Sequence, residues 1–199
     1  KTALDAQKIL SILSYWEITD IFEEGGQNPE PFSQQFGIQT IHGVPKPVWR
    51  AFEFLRCTGV TKQPIKVRGE YNTVDVIVSR NDTHLNILAT NYNWVKQPIT
   101  TQTVDVVVLD FPVALTPVAV MRQIGGGHAD PRAAWIKMGK PVYLTQDQIA
   151  QLMDASTVLE VKNYPYTIDK PFSSITVTLT LMPYDVILVA FGAGEAGQA

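Results

Sequence analysis

The feature that most constrains the fold of this chain is a series of seven short, mostly β-branched segments beyond residue 60. The alternation is cleanest over residues 175–181, where apolar side chains take turns with threonines. Because successive side chains of a strand point to opposite faces, such a segment would have one apolar and one polar face. Short strands separated by turns at this spacing predict an antiparallel β-sandwich. The predicted strands are residues 74–78, 85–89, 104–108, 119–121, 159–161, 175–181 and 186–191.

One helix is predicted to interrupt these strands. Thr145 and Gln148 have the spacing of a capping box, in which each side chain bonds the backbone N–H of the other residue. A helix over residues 146–153 is therefore expected. The residues predicted to face inward are Ile149, Leu152 and Met153.

The first sixty residues show a different pattern, in the order helix, strand, long loop, helix. Apolar residues at helical spacing predict a helix over residues 3–13, and residues 14–18 have the composition of a buried strand. Glycines and prolines predict a loop from about residue 23 to 35, and a second helix is expected over residues 47–55. This order is one and a half α/β units, which cannot bury both faces of their strand alone.

Composition excludes several classes of function. The 199 residues carry a net charge of −3 without a cluster of Lys or Arg, which argues against a nucleic-acid or anionic-membrane partner. The longest apolar runs are too short to span a bilayer. Cys57 is the only cysteine, so no intrachain disulfide is possible, and the isolated histidines lack the spacing of a metal site. We expect neither a metal nor a cofactor.

The start of the chain and one sequon bear on its processing. Because it opens with Lys1 and not with methionine, we expect a processed or excerpted piece of a longer protein. Asn81 begins an Asn-Asp-Thr glycosylation sequon in a predicted turn, which is usable only in a secreted protein. The compartment stays open, with a secreted, extracellular or lysosome-like location favoured.

Three motifs resemble one known family in the same order along the chain. Residues 14–24, SYWEITDIFEE, resemble the eighth barrel strand and following loop of family 39 glycoside hydrolases, the β-xylosidase and α-L-iduronidase family. Residues 36–38 with 42–53, HGVPKPVWRAFE, resemble its next loop and last barrel helix. Residues 133–141, AAWIKMGKP, resemble a signature of its accessory sandwich.

The resemblance implies a (β/α)8 TIM barrel with two catalytic glutamates, followed by an antiparallel β-sandwich. By this resemblance the chain starts in the seventh barrel helix, after both glutamates, so no catalytic residue is assigned to it. Residues 1–57 would form the C-terminal segment of the barrel, 58–192 the accessory sandwich and 193–199 a flexible tail. The implied partner is the N-terminal barrel portion, as a separate chain or as sequence missing here.

Three residues are candidates for substrate binding. The resemblance implies that Glu23 and Glu24 bind sugar hydroxyls at the barrel mouth, and Trp16 could stack on a sugar. Adjacent carboxylates in an extended segment point to opposite faces, so they cannot flank one glycosidic bond at the roughly 5–5.5 Å of a retaining pair. The alternatives are a solvated acidic loop for the glutamates and a core position for Trp16.

The sequence leaves two main functions open. The first is the C-terminal part of a retaining glycosidase acting on β-xylosides or related glycosides, active only with the N-terminal barrel portion. The second is a non-catalytic structural or carbohydrate-binding protein derived from this family. Three features favour it: Glu17, the glycines at 125–127 and the missing catalytic strands. A free-standing sandwich lectin is a third, weaker reading, because residues 1–57 would then be a barrel remnant without support.

Overall fold

The computed structural model describes residues 12, 14–21, 28–33, 36–69, 73–81, 84–95, 98–111, 118–170 and 173–192. These residues form three helices and ten strands. The helices are α1 (Pro47–Arg56), α2 (Pro131–Lys137) and α3 (Gln146–Ala155). The strands are β1 (Thr61–Lys62), β2 (Ile65–Gly69), β3 (Val74–Arg80), β4 (His84–Asn91), β5 (Gln102–Val108), β6 (Ala119–Ile124), β7 (Leu159–Lys162), β8 (Thr167–Asp169), β9 (Ser174–Leu181) and β10 (Val186–Gly192).

The strands pair into two antiparallel sheets. One sheet has six strands in the order β1-β3-β4-β10-β6-β7, and the other has four in the order β2-β5-β9-β8. Strand β10 lies inside the larger sheet, where Leu188 is opposite Leu88 on β4 and Arg122 on β6. In the smaller sheet Val106 of β5 is opposite Val177 of β9. All seven strands predicted beyond residue 60 are present.

The two sheets bury a common hydrophobic core, as expected for a sandwich. The alternation predicted for β9 is observed: its four apolar side chains are completely buried. Burying a side chain of this size contributes about 1.5–3 kcal/mol, so β9 alone accounts for several kcal/mol of favourable transfer free energy. The core takes residues from five further strands, among them Val78, Leu85, Ile87, Val104, Val106, Val108, Met121, Ile187, Val189 and Phe191.

The described residues divide into two compact units. The first comprises residues 54–126 and 159–192, which include all ten strands. The second comprises residues 12–53 and 127–158, so α2 and α3 group with the N-terminal segment. This division differs from the boundary predicted at residues 57 and 58, because a pattern read along the chain cannot show that the insertion between β6 and β7 packs with residues far upstream.

The second unit has its own small core. Phe32, Val44, Trp135 and Leu152 are all buried there. The rings of Phe32 and Trp135 lie 5.8 Å apart, and the Trp135 indole N–H donates to the carbonyl of Pro141 at 2.9 Å. A buried indole needs such an acceptor, since an unpaired polar group in a core is costly.

Helix α3 begins as the sequence predicts. Thr145 Oγ1 accepts from the backbone N–H of Gln148 at 3.2 Å, and Gln148 Oε1 accepts from that of Thr145 at 2.9 Å. Leu152 is buried on the inner face of the helix. Met153, however, is exposed, so the prediction that it faces inward is wrong. A residue next to an inward position on a helix lies about 100° around the axis, which is enough to leave the apolar stripe.

Helix α2 was not predicted from the sequence, although its start has a recognisable signal. Asp130 Oδ1 accepts from the backbone N–H of Ala133 at 2.9 Å, and Pro131 occupies the first helical position. An Asp followed by Pro is a favourable helix start. The short strands β1, β2 and β8 were also missed; β8 is exposed at all three positions and so has no apolar face to recognise.

Two further predictions fall mainly on residues that the structure does not describe. The helix predicted over residues 3–13 lies, except for Ile12, outside the described residues, as does the tail over 193–199. The second predicted helix, over residues 47–55, is confirmed as α1.

Candidate functional site

Residues 14–21 lead into the segment that the sequence singles out for substrate binding. Residues 14–18 were predicted to form a buried strand, and this is wrong for the structure as it stands: Tyr15, Trp16 and Ile18 are exposed, and no regular strand forms there. In the part of the chain that is described, the segment pairs through a single parallel bridge between Thr19 and Gln39. A strand acquires buried faces only from neighbouring strands and covering helices, and this segment has one short neighbour.

Three backbone hydrogen bonds nevertheless hold the segment in an extended conformation beside residues 38–39. Ile38 N–H donates to the carbonyl of Glu17 at 2.9 Å, and Gln39 N–H donates to that of Ile18 at 3.1 Å. Asp20 N–H donates to the carbonyl of Gln39 at 3.2 Å. The backbone of residues 17–20 therefore has a defined position.

A buried ion pair reinforces this arrangement. Asp20 is almost completely buried, and its Oδ1 accepts from Lys46 Nζ at 2.6 Å and from Gly37 N–H at 2.9 Å. A side chain at position 37 would collide with the backbone of Thr19 and Asp20, so glycine is required for this close approach. Together the three residues tie the segment to the loop that precedes α1.

Thr40 organises the adjoining turn. Its Oγ1 accepts from the backbone N–H groups of His42 and Val44, at 3.3 and 3.2 Å, and its own N–H donates to the carbonyl of Val44 at 3.0 Å. His42 thus takes part in the turn through its backbone. Its Nε2 is buried without a hydrogen-bond partner among the described residues.

Trp16 is the one predicted substrate-binding residue that the structure describes. Its side chain is 69% exposed, so it is not a core residue here. Its neighbour Tyr15 packs edge-to-face on Phe52 of α1, with ring centroids 5.5 Å apart, and the peptide between Trp16 and Glu17 is cis. Glu17 Oε1 is buried and has no hydrogen-bond partner among the described residues. Trp16 and Glu17 thus place an exposed aromatic side chain and a carboxylate at neighbouring positions of this segment.

Glu23 and Glu24 lie outside the described residues. Before them, Asp20 and Ile21 are described, and Ile21 N–H donates to the carbonyl of Thr19 at 2.7 Å. The structure thus describes the chain up to Ile21, two residues before Glu23. Neither Asp20 nor Lys46 is assigned a role from the sequence, because the two residues lie 26 positions apart and no local pattern links them.

Asn81 lies in the turn between β3 and β4, as predicted. It is exposed, its Oδ1 accepts from His84 N–H at 2.7 Å, and its own N–H donates to the carbonyl of His84 at 3.0 Å. The other two residues of the sequon lie outside the described residues. Glycosylation at Asn81 stays a prediction.

Of the glycines at 125–127, Gly125 and Gly126 serve packing within the sandwich, whereas Gly127 has open space around it. Gly125 and Gly126 have φ angles of 101° and 59°, and a Cβ at either would collide with Asp185 or Met182. Asp185 is completely buried and accepts at Oδ2 from Gln123 Nε2 and from Met182 N–H, at 2.8 and 2.7 Å. These glycines allow a buried carboxylate to approach the chain closely.

The described residues contain no group of three or more His, Cys, Asp or Glu side chains able to hold a metal ion. They also contain no helix long and apolar enough to cross a membrane.

Comparison with known proteins identifies the family. The model of glycosyl hydrolases family 39 matches residues 1–169. A β-xylosidase from Caldicellulosiruptor saccharolyticus is 32% identical over 195 residues, which cover 98% of this chain and 39% of that protein. A β-xylosidase from Geobacillus stearothermophilus is 28% identical over 165 residues, or 77% of this chain and 31% of that protein. This chain belongs to glycosyl hydrolase family 39, as its motifs predicted.

Solved structures show the same fold. A family 39 enzyme from Xanthomonas axonopodis pv. citri superimposes with a TM-score of 0.74 at 21% identity, covering 95% of this chain and 38% of that one. A monomeric β-xylosidase from Caulobacter crescentus CB15 gives a TM-score of 0.68 at 21% identity, covering 96% and 39%. The chain therefore spans well under half the length of the relatives that it matches.

Proposed function

We propose that this chain is the C-terminal part of a retaining glycoside hydrolase that acts on β-xylosides or related glycosides. The observation that carries the proposal is the alignment of 98% of the chain with only 39% of a β-xylosidase. In this proposal the chain supplies a substrate-binding segment and a β-sandwich, and the N-terminal barrel portion supplies both catalytic glutamates.

The exposed apolar residues of the segment support completion by another part of the protein. Trp16, Ile18 and Phe36 are large side chains left in contact with solvent within a short stretch of the second unit. Exposed apolar surface of this kind commonly marks a site of further packing. We infer that residues 14–18 become a buried barrel strand when the N-terminal portion supplies the neighbouring strands.

The proposed substrate contacts are made by Trp16, Glu23 and Glu24. The ion pair of Asp20 with Lys46 and the bonds to residues 37–39 support this proposal, because they hold the chain shortly before the two glutamates. A carboxylate accepts strong hydrogen bonds from sugar hydroxyls, and an aromatic face packs against the C–H groups of a sugar ring. The end of a barrel strand is where such groups act in barrel enzymes.

A two-part assay tests the proposal. The purified 199-residue chain should show no turnover of an aryl β-xyloside, because retaining hydrolysis needs a nucleophile and an acid/base pair of carboxyl groups. The same chain joined to the N-terminal portion should turn the substrate over, with retention of anomeric configuration visible by NMR. Turnover by the isolated chain, or inversion by the joined protein, would contradict the proposal.

The non-catalytic alternative makes a different prediction. Glu17, whose buried Oε1 has no described partner, is the observation that favours an altered site. Intact-mass analysis of native material separates the two functions. A larger polypeptide with β-xylosidase activity supports the enzyme, whereas a stable 22.1 kDa species that binds saccharide without turnover supports the alternative.

A further inference from the structure

A group of aromatic side chains, two of them largely exposed, lies at one end of the larger sheet in the first unit. This aromatic cluster consists of Tyr92 and Trp94, which follow β4, and Tyr184, which precedes β10. The ring centroids of Tyr92 and Trp94 are 5.7 Å apart with planes at 86°, and those of Tyr92 and Tyr184 are 6.2 Å apart at 61°. The side chains of Trp94 and Tyr184 are 55% and 64% exposed. Tyr92 thus packs edge-to-face against two rings that are largely exposed to solvent.

Buried hydrogen bonds fix the backbone beneath the cluster. Asn91 is completely buried, and its side chain donates to the carbonyls of Thr100 and Leu181 at 2.9 and 3.0 Å. Its backbone carbonyl accepts from Tyr184 N–H at 2.9 Å, while Tyr92 N–H donates to the carbonyl of Thr73 at 2.9 Å. The backbone of Tyr92 and Tyr184 is therefore tied to the sheet, so little backbone entropy would be lost at these two positions on binding.

The backbone of Tyr184 adds an independent observation. Its φ angle is 69°, a left-handed conformation that is uncommon for a bulky residue. Such strain tends to be found at binding and catalytic sites. Here the strained residue is also the most exposed ring of the cluster, so the unfavourable conformation presents an aromatic face to solvent.

The size of the cluster limits what can bind. Aromatic side chains offer about 150–250 Å² each, so the open parts of two rings amount to a few hundred Å². Stable protein interfaces need about 800 Å² on each partner. The two open rings by themselves offer less area than a stable contact between proteins needs, and they match the size of one or two sugar rings.

We propose that the aromatic cluster is an ancillary saccharide-binding surface that packs against the pyranose faces of a β-1,4-xylan chain. The choice of xylan rests on the proposed function. Pyranose rings carry C–H groups on their faces and hydroxyls at their edges, which match aromatic faces edged by phenol groups. Tyr184 and Tyr92 provide these phenols.

Affinity electrophoresis of the 199-residue chain in gels with soluble β-1,4-xylan tests the proposal, with dextran gels as a reference. The wild type should be retarded by xylan alone. Trp94→Ala and Tyr184→Ala should each weaken the apparent affinity about tenfold or more, as loss of a central aromatic contact does. Tyr184→Phe keeps the ring and should stay within about threefold. Tyr143→Ala removes a ring that is 80% exposed elsewhere and should have no effect.

Three outcomes would overturn the proposal: no retardation of the wild type, equal retardation of wild type and alanine variants, or a dimer in sedimentation that the alanine variants dissociate. Melting curves check that each variant folds. Failure of the proposed function can be told apart from failure of this proposal. In the joined enzyme, Trp94→Ala should leave aryl β-xyloside turnover unchanged while reducing retention on insoluble xylan. Retention on xylan therefore tests the aromatic cluster even if the joined protein shows no turnover.

Discussion

Lys46 Nζ lies 2.6 Å from Asp20 Oδ1, and the two side chains are 15% and 3% exposed. The pair links the segment that leads to Glu23 and Glu24 with the loop that precedes α1. A charge removed from water this far needs its partner, since an isolated buried carboxylate carries a large desolvation penalty. The pair therefore serves mainly to hold one arrangement of these two segments.

Replacing Lys46 by Met should destabilise the second unit by about 3 kcal/mol, because Asp20 would be left buried and without its cation. Chemical denaturation followed by tryptophan fluorescence measures the change. The matched control is Glu53→Gln, which disrupts the Arg50–Glu53 pair in the same unit; Glu53 is about half exposed there, and the loss should be below about 1 kcal/mol. Equal losses of unfolding free energy in the two variants would show that the buried ion pair stabilises the unit no more than the exposed pair does.

Gly37→Ala should destabilise the chain more than Gly139→Ala does. A Cβ at position 37 would collide with the backbone of Thr19 and Asp20, which cannot move without breaking the bridge to Gln39. Gly139 has a φ angle of 86° but open space around it, so alanine there should cost only about 1 kcal/mol of backbone strain. Thermal melting of both variants ranks them, and a smaller loss at position 37 would contradict the steric argument.

Stability at alkaline pH should depend on Tyr164. Burial raises the pKa of its phenol above the ordinary 10.0, and the hydroxyl donates to the carbonyl of Thr178 at 3.0 Å. The unfolded chain releases this proton first, so the contribution is complete below pH 10 and is lost as pH rises through the folded-state pKa. Tyr164→Phe should therefore flatten the loss of stability as pH rises above the ordinary phenol pKa of 10.0.

The control for this pH series is Tyr143→Phe, which changes an exposed tyrosine and should leave the slope as in the wild type. At neutral pH Tyr164→Phe should cost no more than about 1 kcal/mol for the lost hydrogen bond. Tyr166, whose pKa burial also raises, remains in the variant, so some alkaline sensitivity should persist. If the stability of Tyr164→Phe fell with pH as steeply as that of the wild type, Tyr164 would not be the source of the alkaline loss.

In the joined enzyme, one of Glu23→Gln and Glu24→Gln should lower kcat/KM by roughly tenfold to a hundredfold with little change in Tm. The reason is that a hydrogen bond to a charged group contributes about 1.5–3 kcal/mol, which is lost from transition-state binding. Separate steady-state kinetics of the two variants on an aryl β-xyloside measure the effect. Full activity in both would exclude these glutamates from the sugar site.

Much of the sandwich could be predicted from the sequence because its signals are local. The alternation over residues 175–181 and the capping box at Thr145 involve residues that are at most a few positions apart. Predictions failed where local signals were incomplete. Residues 14–18 have the composition of a buried strand, but burial depends on neighbours that these residues cannot specify.

The sequence by itself determined the family, the seven main strands and the start of α3, since motifs, periodicity and caps all act over short stretches of chain. Only the tertiary structure decided three other features: the grouping of residues 127–158 with the N-terminal segment, the ion pair of Asp20 with Lys46, and the aromatic cluster. The ion pair joins residues 26 positions apart, and the Asn91 contact beneath the cluster spans 90. Contacts at such separations follow from how the chain packs, and no local pattern of side chains specifies them.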